Sequence, residues 1–269
     1  MAATGTLFEQ GPEQVGLVTG AASGIGAATA SRLAQEGIGG LVLVDRDAAG
    51  LQRMAGALPL PKARVLACTQ DVADEEAWTA TAALVGERFG RADLAVANAG
   101  LAGGGAIVDY AFAEWRRILA ANLDGAFLTL RASMRLMQQG QRGGAIVVVA
   151  SAAALKAEVG TSAYAASKAG VLQLARVAAK EGAGDRIRVN CVLPGGVTTS
   201  IWRTVPYFQD LVARTGSEDA AFSAMAGMAT PLGRYATAEE VAEQIVWLLS
   251  DHTAAMTGSA VLIDGGYVL

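Results

Sequence analysis

Tyr164 and Lys168 stand four residues apart in the stretch 151–168, which opens with Ser151. On a helix, side chains four apart share a face, so the phenol and the ammonium converge. A phenol ordinarily titrates near ~10 and a lysine near ~10.4, and an adjacent ammonium favours the phenolate, drawing the tyrosine toward working pH. Such a tyrosine can exchange a proton with an alcohol or a ketone. The pattern is short, so its meaning depends on the elements that position it.

A chain of 269 residues suits one large α/β domain with a substantial core. Apolar residues make up 52% and charged residues 17%, with 33 glycines and few aromatics, which implies a core packed from Ala, Val, Leu and Gly. The net charge of -4, without clusters of Lys or Arg, provides no footprint for nucleic acid. No apolar run approaches the ~20 residues of a membrane helix, and the N-terminus has no basic segment followed by an apolar one. A soluble, cytoplasmic protein is expected, with residues 1–12 flexible. Cys68 and Cys191 lie in apolar, strand-like runs without metal-ligand spacing and are read as buried free thiols. His252 is the single histidine, which argues against a His-based triad or a His-rich metal site and assigns it to a surface or helix-end position. No metal is expected.

Apolar runs alternate with helical segments along the chain. Strands are expected over 15–19, 41–45, 64–68, 93–97, 145–150, 187–193 and 260–264, and helices over 27–36, 48–57, 74–89, 112–139, 161–181 and 237–250. Asp74 is expected to cap its helix, with Glu75 and Glu76 in the first turn. The alternation predicts a single doubly wound Rossmann-type α/β domain: a parallel seven-stranded sheet with helices on both faces. No internal repeat or second domain is evident.

In such a sheet, ligands bind beyond the carboxyl ends of the strands, where the strand order reverses. Gly20, Gly24 and Gly26 fall between the first strand and its helix, where missing side chains let backbone N–H groups and the helix N-terminus approach a pyrophosphate. Asp45 ends the second strand at the spacing of the acid that binds adenosine ribose hydroxyls, and its carboxylate repels a 2′-phosphate. Arg46 beside it is a group that a phosphate could pair with, whereas Ser23 brings no second positive charge. NAD is therefore favoured over NADP.

With these residues assembled, the sequence resembles the short-chain dehydrogenase/reductase family over about residues 15–266. The pattern TGxxxGIG matches residues 19–26, including Ile25. The NNAG motif stands as Ala97, Asn98, Ala99 and Gly100, with Ala in place of the first Asn, which puts one strand-stabilising side-chain bond in question. The segment PGxVxT matches residues 194–199, and DGG matches Asp264, Gly265 and Gly266. The resemblance implies that Asn122, Ser151, Tyr164 and Lys168 are catalytic. Tyr164 would be the general acid or base, and Lys168 would lower its pKa and hold the nicotinamide ribose. Ser151 would orient the reacting oxygen. Asn122, through a helix distortion and bound water, would relay protons. The resemblance further implies that Asp71 and Val72 contact the adenine. Asn98, Ala99 and Gly100 would line the cleft, and Pro194, Gly195, Val197 and Thr199 would meet the nicotinamide end.

The family's substrate lid follows Thr199 and here occupies about residues 200–230. Trp202, Tyr207, Phe208, Met225 and Met228 in it, with Ala152, Ala153 and Ala154 after Ser151, suggest an apolar pocket for a bulky or cyclic secondary alcohol or ketone. Ser151, Ala153, Tyr164, Gly195, Trp202, Tyr207, Phe208 and Met225 are its expected lining. Large lid residues can equally serve to pack the lid. The family also implies a homotetramer built on the helices around 112–139 and 161–182. Two alternatives are an NADPH-dependent reductase of 3-oxoacyl thioesters and a non-catalytic nucleotide sensor. Asp45 and the acidic balance weigh against the first, and the presence of both Tyr164 and Lys168 against the second.

Overall fold

Seven short apolar runs, each stopped by a turn or a polar residue, form the strands β1 Val15–Thr19, β2 Gly40–Asp45, β3 Val65–Thr69, β4 Leu94–Ala97, β5 Gly144–Val149, β6 Ile187–Pro194 and β7 Ala260–Ile263. The computed structural model describes residues 7–269. The strands form one parallel sheet in the order β3-β2-β1-β4-β5-β6-β7. The chain runs outward from β1 to β3 and returns to β4 on the other side of β1. The strand order therefore reverses between β1 and β4, and their carboxyl ends open a crevice there.

Alternate residues of each strand enter opposite core layers, as the pleat requires. Leu17, Val42 and Val44 pack in one layer with Trp78, Leu136 and Val171. Val18, Leu41 and Leu43 pack in the other with Leu33, Leu51 and Ile245. The helices supplying these partners are α1 Gly24–Gln35, α2 Ala48–Ala57, α3 Glu75–Phe89, α5 Gly125–Gly140, α6 Ser162–Gly182 and α9 Ala238–Leu249, while α4 Phe112–Leu119 leads toward α5 and buries Ile118. Asp74 caps α3 as expected, accepting from the amides of Glu76 and Ala77 at 3.0 Å. Thr237 and Glu240 close a capping box on α9. Helices α7 Pro206–Thr215 and α8 Glu218–Ala229 occupy the segment expected to be the lid, and they have their own small core of Phe208, Leu211, Ala221 and Met225.

Three expectations are corrected. The first concerns residues 1–12, of which 1–6 lie outside the described residues. From Leu7 the chain is fixed: Phe8 is 1% exposed, the Leu7 amide donates to Glu36 Oε2 at 3.2 Å, and Gly39 donates to the Gly11 carbonyl at 2.8 Å. An apolar ring with a place in the core outweighs the polar composition around it. The second concerns the helix after β1, which starts at Gly24, within the glycine turn, rather than at residue 27. The third concerns the continuous helix expected over 112–139, which is divided by a π turn at Ala120–Asp124, the distortion that the resemblance implied at Asn122; there Gly125 donates to the Ala120 carbonyl five residues back.

Candidate active site

The carboxyl ends of the strands collect the residues with chemical potential. Thr19 closes β1, and its hydroxyl donates to the Val96 carbonyl at 3.2 Å while accepting from the amides of Asn98 and Ala99 at 3.0 and 3.1 Å. The Asn98 side chain donates back to the Thr19 carbonyl at 2.9 Å. Between them, Thr19 and Asn98 fasten the two strands at the switch point, so the crevice stays braced although Ala97 occupies the first Asn position of the motif. Sequence reasoning assigned Thr19 no role. Its place at the head of the glycine motif was the available signal.

The glycine turn fits a dinucleotide phosphate. Gly20 and Gly24 have φ of 67° and 53°, in the left-handed region that favours glycine. A Cβ at Gly26 would overlap the Gly20 carbonyl oxygen, so α1 reaches its position against β1 only with glycine there. Ser23, the N-cap of α1, makes no side-chain hydrogen bond to the first turn. The N-terminal amides of the helix are thereby left for a ligand. Beside them is a cleft of about 430 Å³, lined by Gly24, Ala27, Thr198, Thr199 and Ala238 among others. Asp45 is half-buried at the end of β2, with Oδ2 accepting from Ala22 at 3.0 Å and Oδ1 from Asp47 at 3.0 Å. The carboxylate is thus tied to the glycine turn. Asp47, not Asp45, caps α2, and Arg46 is exposed. Asp71 is exposed at the end of β3, and Val72 is buried against Gly125.

On the other side of the crevice, Ser151 follows β5 and Tyr164 lies in the first turn of α6. The Ser151 hydroxyl donates to the Pro194 carbonyl at 3.4 Å and accepts from the Ala153 amide at 3.2 Å. Burial raises the Tyr164 phenol above its ordinary value, with the Ser151 hydroxyl offsetting part of the rise. Lys168, one turn on, is 5% exposed and donates through Nζ to the Val149 carbonyl at 2.8 Å. Burial brings its pKa down to about 8. Its Nζ is 5.8 Å from the Tyr164 ring centroid. The structure therefore brings the pair together, and burial holds the tyrosine above its ordinary value, opposite to the direction expected from the ammonium alone.

Asn122 lies in the π turn, 1% exposed, with every side-chain proton engaged. It donates to the Leu101 carbonyl and to Ser167 Oγ, both at 3.0 Å, and accepts from the Leu101 amide at 2.7 Å. Ser167 Oγ in turn donates to the Tyr164 carbonyl at 2.7 Å. The side chain is a brace that joins the loop after β4 to the helix carrying Tyr164 and Lys168. Gly100 is held next to both: a Cβ there would lie 3.1 Å from Asn122 Oδ1 and 3.4 Å from Lys168 Nζ.

The segment after β6 forms the remaining wall. Gly195 approaches Asp264 so closely that a Cβ would lie 2.9 Å from its Cα. Val197 is 6% exposed, and its carbonyl accepts from Trp202 Nε1 at 2.9 Å. Thr199 lies next to Gly24, linking this segment to the phosphate turn. Trp202 stacks on Tyr235, with ring centroids 5.9 Å apart. Phe208 and Met225 are 1% and 7% exposed inside the lid core. The expectation that Phe208 and Met225 line an open pocket is corrected, because each fills the space between α7 and α8. Tyr207 and Met228 remain exposed, at 54% and 74%. Cys68 and Cys191 are buried free thiols, His252 is exposed, and among the described residues no cluster has the makings of a metal site.

A family model described as enoyl-(acyl carrier protein) reductase matches residues 20–268. The chain is 38% identical over 256 residues to cis-4-hydroxycyclohexanecarboxylate dehydrogenase of Sinomonas cyclohexanicum, covering 95% of this chain and 96% of that protein. The structure of carveol dehydrogenase from Mycobacterium avium in complex with NAD is 28% identical, with a TM-score of 0.90 over 98% of this chain and 99% of that one. The structure of L-sorbose reductase from Gluconobacter frateurii, complexed with NADPH and L-sorbose, is 31% identical, with a TM-score of 0.90 and the same coverage. With its seven-stranded parallel sheet and its glycine turn at the switch point, the chain belongs to the short-chain dehydrogenase/reductase family of Rossmann-fold oxidoreductases.

Proposed function

We propose that this protein transfers hydride between NAD(H) and a secondary alcohol or ketone, bulky or cyclic and largely apolar, with Tyr164 as general acid or base. The observation that carries this reading is Tyr164 in the first turn of α6, one turn before buried Lys168, with Ser151 at the end of β5, across the crevice from a helix N-terminus with no side-chain cap. When bound, a nicotinamide dinucleotide supplies or accepts the hydride. In alcohol oxidation the Tyr164 phenolate takes the hydroxyl proton as the C–H electron pair departs, and in ketone reduction the phenol returns a proton to the forming alkoxide. Ser151 orients that oxygen and stabilises its developing charge. Lys168 holds positive charge beneath the phenol and faces the ribose side of the crevice. Asn122 keeps the loop after β4 and the helix of Tyr164 in register.

Asp45 supports NAD, since a carboxylate at the end of β2 repels a 2′-phosphate. Gly20, Ser23, Gly24, Ile25 and Gly26 would hold the pyrophosphate, Asp71 and Val72 the adenine, and Val197 and Thr199 the carboxamide. Ala153, Gly195, Trp202 and Tyr207 border the space left for substrate. The ring-bearing substrates named for two relatives support a cyclic alcohol. A homotetramer in the cytoplasm belongs to the same reading. Among the described residues, no helix is long and apolar enough to cross a membrane.

The second reading, NADPH-dependent reduction of a 3-oxoacyl thioester, draws on exposed Arg46 and on the acyl-carrier description of the family model. Initial rates separate the two. Aliphatic, cyclic, aromatic and steroidal secondary alcohols are offered with NAD and with NADP, and a 3-oxoacyl thioester with NADPH. Faster turnover of cyclic alcohols with NAD is expected. A large preference for NADP and the thioester would overturn the first reading.

A further inference from the structure

The chain beyond β7 meets three walls of the crevice. The Asp264 carboxylate accepts from the amides of Gly266 and Val268 at 3.0 Å, folding residues 264–268 into a tight turn. That turn rests against Gly195 on one side and, through Gly266, against Pro231 at the end of the lid. It delivers Tyr267 to the loop between Ser151 and α6. There Lys156 Nζ donates to the Tyr267 carbonyl at 2.7 Å and sits 4.1 Å from the centroid of its ring. The Tyr267 hydroxyl donates to Glu158 Oε1 at 2.8 Å, and that same oxygen is 3.8 Å from Lys156 Nζ.

On the proposed reading this loop borders the substrate space, because it directly follows Ser151 and Ala153. It starts one turn after Ser151, where the Lys156 amide donates to the Ala152 carbonyl at 3.0 Å. It ends at Gly160, whose carbonyl accepts from Gly105 at 2.9 Å in the glycine loop after β4. Lys156 is the only cation between Ser151 and Lys168. Left alone, an ammonium on the rim would attract anionic substrates. Here a carboxylate, a carbonyl and an aromatic face all engage it.

We propose that Lys156, Glu158 and Tyr267 form a clasp that determines specificity, occupying the rim ammonium so that the site selects uncharged alcohols over carboxylate-bearing ones. The clasp rests on the reading of the site as a secondary-alcohol dehydrogenase. Its test uses the full chain with NAD, and compares kcat/KM for cyclohexanol and for cis-4-hydroxycyclohexanecarboxylate in wild type, Glu158→Gln and the double variant Glu158→Gln with Lys156→Met. Removing the Glu158 charge is expected to raise the carboxylate-to-neutral ratio about fivefold, the size of one partly exposed ion-pair contact, through KM rather than kcat. Adding Lys156→Met should abolish the gain.

A calorimetric titration of each variant with cyclohexanecarboxylate reads the same preference without turnover, with about fivefold tighter binding expected in Glu158→Gln alone. Turnover of none of the screened secondary alcohols would overturn the dehydrogenase reading, while the titration would still decide the clasp. An unchanged affinity in Glu158→Gln, or a gain that survives Lys156→Met, would overturn the clasp itself.

Discussion

At the scale of single residues, the site is a balance between desolvation and pairing. Tyr164 is raised by burial and relieved in part by Ser151, so its hydroxyl is the proton-bearing group at neutral pH in the protein alone. Tyr164→Phe removes only that hydroxyl. Turnover should fall by roughly 10³-fold or more, while the NAD dissociation constant measured by calorimetry changes by less than about threefold. Near-wild-type turnover would refute the proposed chemistry. Lys168 has a folded pKa of about 8, below its ordinary ~10.4. Between those values the unfolded chain holds a proton that the folded one lacks, so this group makes stability rise with pH across the window, and its penalty is full below pH 8. Relative to wild type, Lys168→Met should therefore gain most in unfolding free energy at pH 7, with the difference shrinking by roughly 1–3 kcal/mol by pH 10.5. Denaturant titrations at the two pH values check this, and a pH-independent difference would show that the buried ammonium carries no such penalty. At Asp45 the expected effect is on choice of cofactor: Asp45→Ala should cut the NAD-to-NADP ratio of kcat/KM at least about tenfold. An unchanged ratio would assign discrimination to other residues.

At the scale of elements, glycines with different surroundings should respond in opposite directions. Gly26 sits in the first turn of α1 with the Gly20 carbonyl where a Cβ would go. Gly86 sits inside α3 facing open space, with no positive φ. Gly26→Ala should destabilise by roughly 2 kcal/mol or more and weaken NAD binding, because the turn must shift. Gly86→Ala should stabilise by about 0.5–1 kcal/mol through helix propensity alone. Thermal unfolding of the two variants tests the pair, and equal effects would mean that the close approach of α1 to β1 is not what glycine provides. The strands and most helices were legible in the sequence because each is a local pattern: an apolar run flanked by glycine, or a cap such as Asp74 followed by acidic residues. The π turn at Ala120–Asp124 entered the sequence reading only as the helix distortion that the resemblance implied at Asn122, not as a local pattern. It is fixed by Asn122 gripping Leu101 and Ser167, partners distant in sequence.

At the scale of the molecule, β7 leaves Leu262 at 42% exposure, and Phe127 on α5 and Trp247 on α9 are at 45% and 37%. Light scattering should give about four times the 27.3 kDa chain mass, and a monomer would overturn the tetramer. The sequence by itself determined the parallel doubly wound sheet, because periodicity is a property of neighbouring residues, and the family resemblance singled out the glycine turn and Asn122, Ser151, Tyr164 and Lys168 as the residues to examine. The pair at 164 and 168 meant little until Ser151 and the glycine turn stood around it. Only the tertiary structure decided the rest. Desolvation reverses the expected direction at Tyr164, Phe208 and Met225 turn inward to fill the lid, and residues 264–268 bring Tyr267 onto Lys156. Each of these depends on which distant atoms exclude water or occupy space around a side chain. That is set by packing, which no local pattern encodes.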